Sequence, residues 1–301
     1  MTEKQGRIKE EMISASEKSE NTAVYRIDDF DCRRIFTCGQ CFRWKQSGDW
    51  WKGVARGRFL RLRSDRESGT VTVSGEGAGS FLQDWHEYFD LGTDYSEIRH
   101  YLAGLDGNLK AATEYGKGIR LLKQEPFETL ISFIISANNN IPRISKCIDV
   151  LCTRYGEQIG TDPDNGEPVF AFPSPERLAG ATPEEISDVC HAGYRSPYIV
   201  AASKKFIDLG GDLSDPEQYP GVGPKVAACI RLFTGSDMNA FPVDVWVRRL
   251  IQELYFGNEA GGVELPASEV RKFVTGHFPR YGGYAQQYLF YWRRESGHAD
   301  K

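Results

Sequence analysis

Residues 219–230 read Tyr-Pro-Gly-Val-Gly-Pro-Lys-Val-Ala-Ala-Cys-Ile, a glycine-rich turn followed by an apolar run that begins at a lysine. Gly221 and Gly223 permit backbone angles that other residues avoid, and Pro224 suits the first position of the helix that follows. The stretch therefore predicts a tight hairpin that ends at a helix N-terminus. Free backbone N–H groups there, together with the helix dipole, favour a bound phosphate.

Lys225 lies in the first turn of this predicted helix, where a cation is disfavoured and a neutral amine, which is a nucleophile, is favoured. A lysine that contacts phosphate or is solvated is an equally good interpretation of these few residues. A nucleotide-binding P-loop does not fit, because Pro224 follows Gly223 and Val226, instead of Ser or Thr, follows the lysine.

Asp244 precedes a second apolar-periodic run, in the segment Asn-Ala-Phe-Pro-Val-Asp-Val-Trp-Val-Arg-Arg at residues 239–249. Locally it is an N-cap, which is worth about 1 kcal/mol. Alternatively, it is a carboxylate that faces Lys225. The spacing between the two residues accommodates one helix, a return loop and the start of the next helix, so both interpretations stay open.

The chain of 301 residues is 40% apolar and 26% charged, which is enough for two domains with substantial cores. We predict a polar, flexible tail at residues 1–22, an α+β domain at 23–113 and a helical region at 114–301. Residues 50–74 alternate apolar and polar side chains in two runs separated by a turn at 65–69, the pattern of antiparallel strands.

In the second region, apolar residues recur with helical periodicity, and prolines at the beginning and glycines at the end of these segments mark the helix termini. The predicted helices are 126–137, 142–155, 183–191, 197–209, 225–233, 243–256, 267–278 and 282–294.

Charge and cysteine usage limit the functional class. The net charge of −5 is concentrated in residues 161–218, so a polyanion could still dock on a local basic face. The seven cysteines are scattered and no export signal or membrane span is present, which predicts reduced thiols and a location in the cytoplasm or, in a prokaryote, at the nucleoid. Cys38 and Cys41 form a single CxxC without a second ligand pair, which disfavours zinc.

Five blocks in order carry a resemblance to a known family. They are TCGQCFRW at 37–44, FIISANNNIPR at 133–143, GYR at 193–195, PGVGPKVA with FPVDVWVRR, and YAQQYLF at 284–290. Over about residues 23–292 the chain resembles the 8-oxoguanine DNA glycosylase/AP lyases of the helix-hairpin-helix DNA glycosylase superfamily. The resemblance implies a TBP-like antiparallel sheet domain followed by an all-helical glycosylase region, with the helix-hairpin-helix at about 215–235.

The resemblance also implies an activity. Lys225 would attack C1′ of the damaged nucleotide, expel 8-oxoguanine paired with cytosine, and form a Schiff base from which β-elimination nicks the strand. Asp244 would stabilise positive charge that develops on the sugar. We expect the partner to be double-stranded DNA that contains 8-oxoguanine, the chain to be a monomer, and no membrane to be involved. The resemblance implies no catalytic metal and a site for a structural monovalent cation at the hairpin carbonyls, and an iron–sulfur cluster is not expected because no cysteine follows Cys229.

The family's roles transfer to individual positions. In the base pocket, Phe290 and Cys229 would stack on the flipped base, Gln286 would bind its Watson–Crick edge, and the Gly39 carbonyl would accept from the N7–H that guanine lacks. The positions expected to contact DNA are Asn138 in the vacated duplex position, Arg143 and Arg195 on the orphaned cytosine, Tyr194 as a wedge, and Gly221, Gly223 and Trp246 at the backbone. Two features depart from the family: the segment before the hairpin is short, and Trp246 stands where animal members carry a histidine.

Three alternatives remain at this point. The chain could be a related glycosylase for another lesion, such as an alkylated base. Gly39 and Gln286 argue against this alternative, because they match the positions that recognise oxidised guanine in the family. It could be a non-catalytic helix-hairpin-helix DNA-binding module, in which Lys225 and Asp244 are coincidental. A redox protein that uses Cys38 and Cys41 is the third interpretation.

Overall fold

The structure is a computed structural model that describes residues 22–75, 77–257 and 264–297. Residues 1–21 of the predicted polar tail lie outside the described residues. Thr22, which the prediction assigned to that tail, is the first residue of a strand.

A five-stranded antiparallel sheet lies in the N-terminal part of the chain. Its strands are β1 Thr22–Arg26, β2 Lys45–Ser47, β3 Trp50–Ala55, β4 Arg58–Asp65 and β5 Thr70–Ser74. Their order in the sheet is β1-β5-β4-β3-β2. The predicted turn at 65–69 joins β4 to β5. The first predicted run, however, contains two strands, because the backbone turns back at Arg56 and Gly57 with φ values of 53° and 67°.

One helix lies between β1 and β2, the other helices follow β5 along the chain, and helices make up most of the described chain beyond residue 95. Their bounds are α1 Cys32–Thr37, α2 Phe81–Asp84, α3 Tyr95–Ala103, α4 Gly107–Tyr115, α5 Pro126–Ser136, α6 Ile141–Tyr155, α7 Pro175–Ala179, α8 Pro183–Cys190, α9 Ser196–Asp208, α10 Pro224–Thr234, α11 Val245–Tyr255, α12 Ala267–His277 and α13 Gly282–Ser296.

The eight helices predicted from prolines and glycines at their termini are confirmed, and the predicted ends agree with the observed ends within two residues. The local signals are visible at their termini. Asn140 and Asp244 accept hydrogen bonds from backbone N–H groups as N-caps, and Thr182 forms a capping box with Glu185. Gly235 ends α10 in the left-handed conformation.

The prediction that the second region is entirely helical is wrong in one place. Strands β6 Gln158–Thr161 and β7 Pro168–Phe170 form a two-stranded hairpin between α6 and α7. The tip of this hairpin is held against the sheet by ion pairs: Lys52 Nζ lies 2.9 Å from Asp162 Oδ2 and 2.5 Å from Asp164 Oδ2. The partners lie more than a hundred residues apart, so local sequence carries no signal for this contact.

Buried apolar side chains form two clusters. One lies behind the sheet and includes Leu62, Val73, Trp85 and Phe89. The larger cluster joins α3–α13, and it includes Val226, Cys229 and Phe233 of α10, the helix that follows the hairpin. No helix in the described ranges is long and apolar enough to cross a membrane.

Candidate active site

A cleft of about 810 Å³ opens where the N-termini of α10 and α11 meet the C-terminus of α5. Among the residues predicted from the sequence, eight line it: Asn138, Arg143, Tyr194, Gly221, Gly223, Lys225, Asp244 and Trp246. Segments that are widely separated in the sequence therefore meet at one cavity.

Lys225 occupies the second position of α10, after Gly223 as N-cap and Pro224 at the first position. Its side chain is half-buried. Nζ lies 3.4 Å from Ser136 Oγ and 5.5 Å from the centroid of the Phe133 ring. The hydrogen bond is long and the ring carries no charge, so the amine is positioned without being tied to a carboxylate in the described part of the chain.

Cys229 lies one helical turn after Lys225, and its thiol is buried. Burial raises the pKa of the Cys229 thiol, and the charge of Lys225 offsets part of that rise. The thiol therefore stays protonated at neutral pH, which suits an apolar contact surface and not a nucleophile.

Asp244 is the N-cap of α11, as its local sequence predicts. Its Oδ1 accepts a hydrogen bond of 2.7 Å from the backbone N–H of Val247. The same half-buried side chain lines the cleft that Lys225 also lines, so the capping interaction is compatible with a place in the cleft, and the orientation of the carboxylate toward the lysine stays a prediction. Capping fixes the carboxylate, because rotation about its side-chain bonds would break the bond to Val247.

Side-chain hydrogen bonds stabilise the hairpin before α10, although the segment that precedes the hairpin is short. The first helix of the motif is reduced to a single 3₁₀ turn at Pro216–Gln218, whose last carbonyl accepts 2.8 Å from Lys205 Nζ. The buried Tyr219 donates its hydroxyl to Asp212 O at 2.5 Å. Gly221 has φ 81°, and a Cβ there would lie 2.8 Å from Tyr198.

The positions predicted to contact DNA that line the cleft after α5 differ in exposure. Asn138 is exposed at φ 52°, directly after α5. Tyr194 is 57% exposed and donates its hydroxyl to Ala137 O at 3.3 Å. Arg143 is exposed and makes one long bond of 3.4 Å to His191 O. An exposed aromatic ring beside amide and guanidinium groups is suited to stacked bases and base edges.

Arg195 is placed differently from these residues. It is only 6% exposed, and its Nε donates to Ala137 O at 2.7 Å while Nη2 donates to Asn138 O at 2.9 Å. Its guanidinium also lies 4.3 Å from the centroid of the Tyr194 ring. Arg195 therefore braces the loop that presents Asn138 and Tyr194, and contact with an orphaned cytosine stays a prediction.

The predicted base-pocket residues lie next to the cleft. A Cβ at Gly39, which has φ 85°, would lie 3.3 Å from the Phe290 ring. Trp246, in the cleft wall, contacts the same ring edge to face with centroids 4.8 Å apart. Gln286 is one turn before Phe290 on α13; it is 5% exposed, and its Oε1 is buried without a hydrogen-bond partner among the described residues.

The comparisons with known proteins agree along the chain. A model described as the 8-oxoguanine DNA glycosylase N-terminal domain matches residues 24–130, and one described as the HhH-GPD superfamily of base excision DNA repair proteins matches residues 131–273. A probable N-glycosylase/DNA lyase of Methanothermobacter thermautotrophicus is 32% identical over 254 residues, 73% of this chain and 77% of that protein. The chain belongs to the 8-oxoguanine DNA glycosylase family.

Two further relatives extend the match. An N-glycosylase/DNA lyase of Arabidopsis thaliana is 30% identical over 280 residues, 85% of this chain and 75% of the relative. The structure of Clostridium acetobutylicum 8-oxoguanine glycosylase/lyase, in complex with double-stranded DNA that contains cytosine opposite 8-oxoguanine, superposes with a TM-score of 0.85 at 33% identity. That match covers 96% of this chain and 99% of the other, so the sheet and helical regions of this glycosylase-family chain are confirmed together.

Two residues at this glycosylase site were not singled out from the sequence. Ser136 and Phe133 contact Lys225, yet they were quoted only as part of a motif. They lie three residues apart, which puts both on one face of α5. A polar Ser136 directly after the apolar run Phe133–Ile135 was the available signal.

Removal of the Arg195 guanidinium should destabilise the loop that carries Asn138. We expect Arg195→Met to lower the free energy of unfolding by about 2 kcal/mol, because it leaves the partly buried carbonyls of Ala137 and Asn138 without charged donors. Arg143→Met is the matched control, and its exposed side chain should cost no more than about 0.5 kcal/mol. Urea denaturation of both variants measures this difference, and equal midpoints would contradict the bracing role.

Proposed function

We propose that this protein excises 8-oxoguanine paired with cytosine from duplex DNA and then nicks the strand, with Lys225 as the nucleophile. The observation that carries the proposal is that Lys225 and Asp244, at the N-termini of two helices, line one cleft of about 810 Å³. A flipped nucleotide needs such a cavity, and family membership supplies the lesion class.

The first chemical step uses the Lys225 amine. Its lone pair attacks C1′, the N-glycosidic bond breaks, and the bond's electrons leave with the base, which takes up a proton. Asp244 offsets the positive charge that develops on the sugar, where a fixed carboxylate is most effective because it does not reorganise during the reaction.

The second step cleaves the strand. The C1′–O4′ bond of the aminated sugar then breaks, O4′ takes up the proton that the Lys225 nitrogen loses, and C1′ and the nitrogen form a Schiff base. Loss of a proton from C2′ to solvent follows, and the bond between C3′ and its phosphate oxygen breaks with the electrons on the phosphate. Water then releases Lys225. Amine and carboxylate chemistry is sufficient for both steps, so we propose no catalytic metal and no iron–sulfur cluster. All proposed groups come from one chain, which supports a monomer.

Recognition of the lesion would occur in the pocket beside the cleft. Gln286 has an unpartnered carbonyl oxygen among the described residues, and a purine edge offers N–H donors to it. Phe290 offers a ring face for stacking. We propose that the Gly39 carbonyl accepts from N7–H, which 8-oxoguanine has and guanine lacks. The N-termini of α10 and α11 at the cleft suit DNA phosphates.

Borohydride trapping tests the proposal directly. Wild-type protein is incubated with a duplex that contains 8-oxoguanine opposite cytosine and with an undamaged duplex of the same sequence. A covalent adduct confined to the lesion duplex, together with released 8-oxoguanine, is the expected result. Base release without an adduct would overturn the Schiff base, and neither release nor adduct would overturn the assigned lesion.

A further inference from the structure

The backbone carbonyls on both sides of Gly39 are held by side-chain donors from distant segments. Gln287 Nε2, on α13, donates 3.0 Å to Cys38 O, and Arg294 Nη2, about two turns further along α13, donates to Thr37 O. Gln124 Nε2, before α5, donates 2.7 Å to Gln40 O. The carbonyls of residues 37, 38 and 40 are therefore all occupied.

The Gly39 carbonyl differs from its neighbours. Within the described ranges of the chain, no donor hydrogen-bonds to it, although the φ of 85° at this residue fixes its backbone in the left-handed region. Since the peptides before and after it are anchored, the orientation of this single acceptor is set by the donors on either side. A free acceptor in a fixed orientation is what recognition of one N–H requires.

The two inner donors are well suited to hold the loop. Gln287 is buried, so its hydrogen bond is not exchanged with water, and loss of its donor would leave a buried carbonyl unsatisfied. It is adjacent to Gln286 on α13, the helix that also carries Phe290. One rigid helix therefore fixes the position of Gly39 relative to the ring and the amide of the proposed base pocket.

We infer that Gln287 and Gln124 are positioning residues for specificity: they hold the peptides on either side of Gly39 so that its carbonyl alone stays free to accept from the lesion. The inference rests on the proposed function. It predicts that loss of either donor impairs recognition of the base and leaves the Lys225 chemistry intact.

The test separates these two steps with two DNA substrates. Gln287→Leu and Gln124→Met remove the donors and keep side-chain volume close to the original. Single-turnover release of 8-oxoguanine should fall by about tenfold to a hundredfold, since small displacements of a binding group have effects of this order. Borohydride trapping on a duplex with a preformed abasic site, which has no base to recognise, should stay within about twofold.

Ser203→Ala is the matched control, because it removes one buried side-chain hydrogen bond, 2.7 Å to Ile199 O, on a helix away from Gly39. It should change neither readout. A parallel loss of both activities in the glutamine variants would show a general structural role and overturn the inference, and so would unchanged 8-oxoguanine release. If wild-type protein itself releases no 8-oxoguanine, it is the proposed function that fails.

Discussion

Lys225→Gln is expected to abolish covalent trapping and to slow release of 8-oxoguanine by about a thousandfold or more. Glutamine has no amine, so neither attack on C1′ nor the Schiff base is available to it, and loss of a nucleophile has effects of this size or greater. Affinity for lesion duplex should remain within about tenfold of wild type, because the substitution leaves unchanged the cleft walls and helix termini that we propose contact DNA.

The structure indicates that this substitution leaves the fold intact. Lys225 is half-buried, and its Nζ makes one long bond of 3.4 Å to Ser136 Oγ, so its removal leaves no strong partner unsatisfied. Lys204→Gln, at an exposed position of α9, is the matched control and should retain wild-type trapping. An adduct formed by Lys225→Gln would assign the Schiff base to a different amine.

The sequence was sufficient to predict the catalytic end of the fold because its signals there are local. Pro224 at a first helical position and Asp244 as an N-cap each act within a few residues of themselves. Both helix starts were predicted within two residues. The spacing between the two helix starts was compatible with their meeting at one cleft, but it did not predict that they do. The structure shows that residues at both helix starts line the same cleft.

Contacts between distant segments could not be predicted in the same way. Gly39 lies against Phe290, some 250 residues away, and only the family resemblance had placed them in one pocket. The β6–β7 hairpin contacts the sheet through ion pairs between Lys52 and the acids at the hairpin's tip, which are more than a hundred residues away in the sequence. Arg195 was assigned from a motif to contact DNA, and its burial under Asn138 follows from packing that no local pattern encodes.

Asp244→Asn is expected to lower single-turnover release of 8-oxoguanine by about a hundredfold with little change in stability. Asn is as good an N-cap as Asp, so its side-chain oxygen can still accept from the Val247 N–H and α11 should keep its start. What is lost is the negative charge. Removal of one preorganised electrostatic group typically costs about a hundredfold to a thousandfold in rate.

Two controls separate the charge from the cap. Asp94→Asn makes the same change at the exposed N-cap of α3, which does not line the cleft, and should leave release unchanged. Asp244→Ala removes both functions and should cost about 1 kcal/mol in a urea unfolding experiment in addition to the loss of rate. If Asp244→Asn kept the wild-type rate while Asp244→Ala lost it, the residue would act through placement of α11 alone. A loss in both, with stability reduced only in the alanine variant, assigns the rate to the carboxylate charge, because the two variants share that loss and differ in the cap.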